Sequence, residues 1–158
     1  VILELHRKGH DQVKAVDLPL TSLADDAERT RRMIRQIDGP VVLVGHSYGG
    51  AVITEAGNQP NVQALVHIAA FAPDSGESPG GITQQHLPEA APSLAPDSDG
   101  HLWLPSQDRM ISPQNQKAMA ERMQTKRLLQ LEASHASLAS HPADVAALIL
   151  EAVAAVDG

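Results

Sequence analysis

The chain opens on VILELHRK, whose apolar residues recur at helical spacing and predict a short amphipathic helix over residues 1–8. Gly9 ends it, because glycine accepts the left-handed conformation just past a helix end. Residues 12–18 (QVKAVDL) alternate into an apolar strand that Pro19 closes. Ser22 with Asp25 three positions on is a capping-box pattern. It opens a polar helix running to about Ile37, with Leu23, Ala27, Thr30, Ile34 and Ile37 in one stripe. Asp38-Gly39-Pro40 then turns the chain.

A different pattern follows. Residues 41–44 (VVLV) form a continuous apolar run rich in β-branched side chains, the mark of a strand buried on both faces of a parallel sheet. Residues 51–58 suit a helix and residues 64–69 (ALVHIA) the next buried strand. Strand, helix and strand in succession imply βαβ units joined by right-handed crossovers. Between Pro73 and Gly100, five prolines and four glycines leave room for only short helical turns. Order returns at His101-Leu102-Trp103-Leu104. Ser112-Pro113 then reads as an N-cap and first-turn proline for a helix to about Met123. Residues 128–131 (LLQL) predict a last strand, and residues 142–156 an apolar, Ala-rich closing helix. The pattern predicts an α/β fold in one domain over residues 1–158, with a mostly parallel sheet of about four to five strands flanked by helices.

Composition narrows the partners. The net charge is −7 and no run of Lys or Arg occurs, which argues against nucleic acid or an anionic membrane surface as partner. The absence of cysteine excludes disulfides, thiolate metal sites and cysteine nucleophiles, while leaving the compartment open, with the cytoplasm slightly favoured. No apolar run approaches the roughly 20 residues that span a bilayer, so the chain reads as soluble.

The chemistry concentrates where the apolar run 41–44 ends. Gly45-His46-Ser47-Tyr48-Gly49 has the G-x-S-x-G form between a buried strand and a helix. A serine hydroxyl is a weak nucleophile unless a base takes its proton and the oxygen is held in the open. A tight strand-to-helix turn provides the second condition, with Gly45 and Gly49 expected where a side chain would collide and Gly50 extending that tolerance. The same turn places the Tyr48 amide and the helix dipole towards a developing oxyanion. His46 is expected to be a structural neighbour, because adjacent side chains diverge in such a turn.

The base must come from elsewhere, and the order in this kind of site is serine, acid, histidine. His135 follows the last predicted strand and precedes the closing helix, at the carboxyl edge of the sheet where Ser47 also lies. His141 precedes Pro142 and suits a surface or capping role. His67 sits inside a strand and reads as a core histidine. His6 and His10 are four apart, but Gly9 ends the helix between them, so no metal site is expected. Asp108, on a loop before the Ser112 cap, is the favoured acid, and Asp74 the alternative. No cofactor is required by this set of residues.

These residues are similar to those of small α/β-hydrolase esterases related to the plant methylesterase and hydroxynitrile lyase branch. The blocks that resemble that group are Val16-Asp17-Leu18-Pro19, residues 39–50, Ala70-Phe71-Ala72-Pro73-Asp74, residues 99–104, Gln107-Asp108-Arg109 with Ile111 and Pro113, and Ser134-His135. The resemblance implies a reduced α/β-hydrolase fold, a Ser47–His135–Asp108 triad and hydrolysis of carboxylic esters through an acyl-enzyme. Two departures accompany it. In such enzymes an earlier central strand ends in a His-Gly loop that supplies a second oxyanion donor, and this chain starts after it. The sheet would then pair residues 13–18 directly with 41–44, or borrow a strand from another chain in a homodimer by strand exchange. Relatives also carry a helical cap, where this chain joins Leu104 almost directly to Asp108 and has the irregular stretch 73–105 instead. An open site with loose selection among small ester substrates is expected. The alternatives are a weak or silent hydrolase-fold scaffold and hydroxynitrile lyase-like activity.

Overall fold

A computed structural model describes residues 1–87, 98, 111–131 and 133–156. Two strands, β1 (Val41–Ser47) and β2 (Val62–Ala70), pair in parallel and are joined by helix α3 (Tyr48–Ala56). Helices α1 (Ile2–Arg7) and α2 (Leu23–Ile34) precede this βαβ unit. Helices α4 (Pro79–Gln85), α5 (Pro113–Arg122), α6 (Ser137–Ser140) and α7 (Pro142–Ala154) follow it.

The punctuation of the chain sets the helix ends. Gly9 lies just past α1 with φ 85°, a conformation open to glycine at little cost. Ser22 Oγ accepts the Asp25 amide at 3.0 Å and donates to Asp25 Oδ2 at 2.8 Å, closing the cap of α2. Ser112 caps α5 in the same way through the Asn115 amide, with Pro113 in the first turn. Such caps each satisfy a backbone donor that the helix itself leaves unpaired.

Alternation along the strands divides the interior into two layers. Val41 and Leu43 of β1 face α2 and α3 and pack with Ala27, Ile34, Ile53 and Ala56. Val66 and Ile68 of β2 face the other side and pack with Leu5 of α1 and with Val145, Ala146 and Ile149 of α7, with Val42 at the margin of that cluster. The register, Val42 with Ala64, Val44 with Val66 and His46 with Ile68, puts His46 on the α7 side. A third cluster, Ala72, Ile82, Ile111 and Met119, seats α4 against α5. Asn115 strengthens that junction, donating from Nδ2 to the carbonyls of Ile82 at 2.9 Å and His86 at 3.1 Å.

Two expected strands are not formed. Residues 12–18 and 128–131 carry no strand pairing among the described residues, so the described sheet has two strands where four to five were expected. Apolar alternation creates a side to bury, but a strand also needs a neighbour to exchange ladder hydrogen bonds with. Val13 and Leu131 accordingly pack against the α1–α7 cluster as irregular chain. The stretch after Pro73 is more ordered at its start than expected, since Ser78 caps α4 and Ile82 is buried.

His67 is the core histidine of the α3 side. Its Nε2 lies 3.1 Å from Thr54 Oγ1, and Thr54 donates to the Gly50 carbonyl at 2.8 Å. Burial strips water from the cation and holds the His67 pKa below its ordinary value. A depressed histidine pKa favours folding above the unfolded value, and that contribution is lost as pH falls below about 6.5 and through the folded pKa. We expect the urea midpoint of the wild type to fall across this window and that of His67→Gln to fall less steeply. Equal slopes in the two proteins would contradict the assignment.

Candidate active site

Ser47 ends β1 with φ 55° and ψ −123°, a backbone conformation that non-glycine residues rarely adopt. Holding a residue there costs of order 1–3 kcal/mol, so the surrounding structure must over-determine it. The next residue, Tyr48, begins α3 directly, which leaves no room for a loop between strand and helix. The end of the strand and the first turn of the helix therefore come into contact. A Cβ added to Gly45 would lie 2.5 Å from the Gly49 carbonyl oxygen. One added to Gly50 would collide with the Phe71 carbonyl and with Ala70 Cβ.

The crowded positions are thus Gly45 and Gly50. Gly49, expected to be one of them, has open space beside its Cα among the described residues. The difference arises because a Cβ at Gly50 would point at the end of β2, whereas one at Gly49 meets no described atom within 4 Å. At the same level β2 is bulged. His46 pairs with Ile68 and Ser47 with Ala70, leaving Ala69 as the extra residue at φ 41°. The bulge brings the Phe71 amide to the Ser47 carbonyl at 3.1 Å. Bulges commonly re-aim the chain beside functional sites.

His135 Nε2 lies 2.8 Å from Ser47 Oγ. The two lie 88 positions apart in the chain. Ser47 arrives on β1, and His135 on the short segment between residue 133 and α6. Ala133 donates to the Leu131 carbonyl at 2.9 Å within that segment, and the Ala136 amide to Ser134 Oγ at 3.3 Å. His46 extends to the same segment and places Nε2 at 2.7 Å from the His135 carbonyl oxygen. A carbonyl only accepts, so His46 carries its hydrogen on Nε2 and donates. The two rings pack with centroids 4.7 Å apart, tilted by 40°.

On the other side of the elbow, the Tyr48 hydroxyl donates to Asp26 Oδ2 at 2.7 Å, and Asp26 Oδ1 accepts the Leu20 amide at 2.9 Å. Asp26 is 0% exposed. This carboxylate ties the segment before α2 to the first residue of α3. Sequence reasoning had no view of it, because Asp26 looks like one more acidic first-turn residue beside the capping Asp25.

The remaining expected residues are placed as follows. Asp108 lies outside the described residues. Asp74 is exposed and makes its own turn, in which its Oδ1 accepts the Ser75 amide at 2.7 Å and its amide donates to Glu77 Oε2 at 2.8 Å. His141 occupies the N-cap position of α7, but its side chain does not cap, and its Nδ1 instead lies 2.8 Å from Ser140 Oγ. His6 lies within α1, and His10 follows the turn at Gly9. No helix among the described residues is long and apolar enough to cross a membrane.

Residues 4–98 match the alpha/beta hydrolase family. The chain belongs to that family. Among curated proteins, this alpha/beta hydrolase is 44% identical over 50 residues to a "Carbendazim hydrolyzing esterase" of Nocardioides sp., an alignment covering 30% of this chain and 21% of the relative. It is 35% identical over 72 residues to "Probable hydrolase R7" of Phoma sp., covering 41% of this chain and 30% of the relative. The matched region is therefore well under half the length of either relative.

Two predictions follow from the geometry of the elbow. Replacing Gly50 by Ala forces backbone contacts apart and should lower the melting temperature sharply or prevent folding, whereas Gly49→Ala, inside α3, should be neutral or stabilising by up to about 1 kcal/mol. Equal melting temperatures for the two variants would refute the steric assignment. Tyr48 is the only tyrosine, so its ultraviolet titration reads one group. Burial, with the Asp26 hydrogen bond next, pushes its pKa up to about 12. A raised phenol pKa contributes stability that is complete below about pH 10 and is lost as pH rises through about 12. The titration midpoint should move back towards the ordinary value in Asp26→Asn, and an unmoved midpoint would count against the contact.

Proposed function

We propose that residues 1–158 act as one domain that hydrolyses small carboxylic esters through an acyl-enzyme, with Ser47 as nucleophile, His135 as base and Asp108 as the acid that orients it. The observation that carries the proposal is the 2.8 Å approach of His135 Nε2 to Ser47 Oγ, made at a serine held in the strained elbow conformation. A hydroxyl this close to an imidazole nitrogen can lose its proton as it attacks, which is the geometric requirement for general-base activation. Family membership supports the same reading, as do the names of the two relatives, one called an esterase and the other a hydrolase.

The steps are those of acyl transfer. With His135 bearing its hydrogen on Nδ1, Nε2 takes the Ser47 proton while Oγ bonds to the ester carbonyl carbon. The carbonyl oxygen becomes an oxyanion. The Tyr48 amide, in the first turn of α3, has no acceptor within its own helix and is the proposed donor to that oxygen. Collapse of the tetrahedral species breaks the bond to the alkoxy group, which leaves as the alcohol with the proton from His135. Water repeats the sequence on the acyl-enzyme, releasing the carboxylic acid and restoring Ser47. Asp108 would accept from Nδ1–H and stabilise the imidazolium in both halves.

Incubation with a fluorophosphonate followed by peptide mass spectrometry tests the proposal. The adduct should sit on Ser47, be absent in Ser47→Ala, and form at least about 10³-fold more slowly in His135→Ala. Asp108→Asn should slow it substantially, while Asp74→Asn should leave it near the wild-type rate. A folded wild type that takes no label would refute the hydrolase reading. Slow labelling in Asp74→Asn with a normal rate in Asp108→Asn would exchange the acid.

A further inference from the structure

We infer that His46 is a positioning residue for the base: its Nε2–H, donated to the backbone carbonyl of His135, holds the loop that delivers the His135 imidazole to Ser47. This inference rests on the proposal that His135 is the base, and it adds a group that the serine–histidine–acid pattern does not contain.

The geometry gives His46 a reach the elbow sequence conceals. Ser47 is the last residue of β1 and turns into α3, whereas the pairing of His46 with Ile68 directs it to the α7 side of the sheet. The chain that carries His135 passes on that side. The resulting contact, 2.7 Å from Nε2 to the His135 carbonyl, joins residues 89 positions apart in sequence and is immediately adjacent in the chain to both reacting groups. The half-buried rings also pack at 4.7 Å, so movement of the His135 ring away from Ser47 must disturb the His46 ring as well. The segment also carries local tethers, from Ala133 to Leu131 and from Ala136 to Ser134. Local tethers shape a loop without fixing its distance from the sheet. The His46 contact contributes to that distance, through one rigid ring anchored on β1.

Three substitutions separate the donor from the ring. His46→Ala removes both, His46→Phe keeps a ring without a donor, and His46→Gln keeps an amide N–H at a similar reach without a ring. With p-nitrophenyl acetate as probe, Ala and Phe should lower kcat by about 10- to 100-fold, the scale on which small misplacements of a reacting group act. KM should stay within about threefold, because the contact is to the base and not to substrate. Gln should recover most of the loss. Fluorophosphonate labelling of Ser47 should follow the same order as kcat, and the melting temperatures of Phe and Gln should be close to one another. A Phe variant as active as wild type shows that ring packing suffices and overturns the inference, as does a folded Gln variant as slow as Ala. A rise in KM at constant kcat also overturns it, by moving His46 to substrate binding. In each of these cases the role of His135 still stands if His135→Ala fails to label. A wild type that does not label overturns both.

Discussion

The backbone of Ser47 is the constraint on which the rest of this structure depends. At φ 55° and ψ −123° it lies where a side chain is ordinarily disfavoured, so the conformation persists only if the elements on either side leave no alternative. Those elements are β1, α3 and the bulged end of β2. Their close approach excludes a Cβ at Gly45 and at Gly50, and the approach is kept by the Phe71 amide on the Ser47 carbonyl. The glycines do not make the turn by being flexible. They make it by being small at the two places where one backbone lies against another.

Around that point the polar contacts divide by side of the sheet, as the apolar ones do. On the α2–α3 side, Asp26 receives the Tyr48 hydroxyl and the Leu20 amide, and His67 meets Thr54, which in turn reaches the Gly50 carbonyl. On the α7 side, His46 meets the His135 carbonyl. Residues 46 to 50 thus have a buried or half-buried hydrogen bond to each layer. A carboxylate with no exposure stays in place only if its oxygens are satisfied, and both oxygens of Asp26 are. The elbow is held from both faces, with its serine between them.

Much of this was legible in the sequence because it is written in short-range terms. Ser22 and Ser112 were readable as caps, Gly9 as a helix stop and residues 41–44 as a strand, since each depends on a few neighbouring positions, but burial on both faces was not, since Val44 is 40% exposed. Residues 12–18 and 128–131 misled because alternation reports which side is apolar and is silent on whether a neighbouring strand is there to pair with. Gly49 was expected to be crowded and Gly50 only to extend the tolerance, and the roles came out differently for a related reason. A motif gives spacing, but which glycine faces the partner strand depends on how the helix is rotated. His46 and Asp26 were not recognisable as contacts at all, because their partners lie 89 and 22 positions away in the chain.

The distance between Ser47 and His135 depends also on the apolar contact that seats α7 on the sheet. His135 leads into α6 and α7, and α7 is seated on β2 and α1 by Val145, Ala146 and Ile149 against Val66, Ile68 and Leu5. Ile68 is the residue paired with His46. The strand position that steadies α7 therefore lies beside the one that reaches to the histidine loop, and both lie one step before the elbow. A loss of packing under α7 would move the loop as a body, which a single hydrogen bond worth about 1 kcal/mol net could not resist. The hydrophobic cluster sets where the loop can be, and the His46 contact selects one position within that range. Precision at the candidate site is divided between a non-directional term of large magnitude and a directional one of small magnitude.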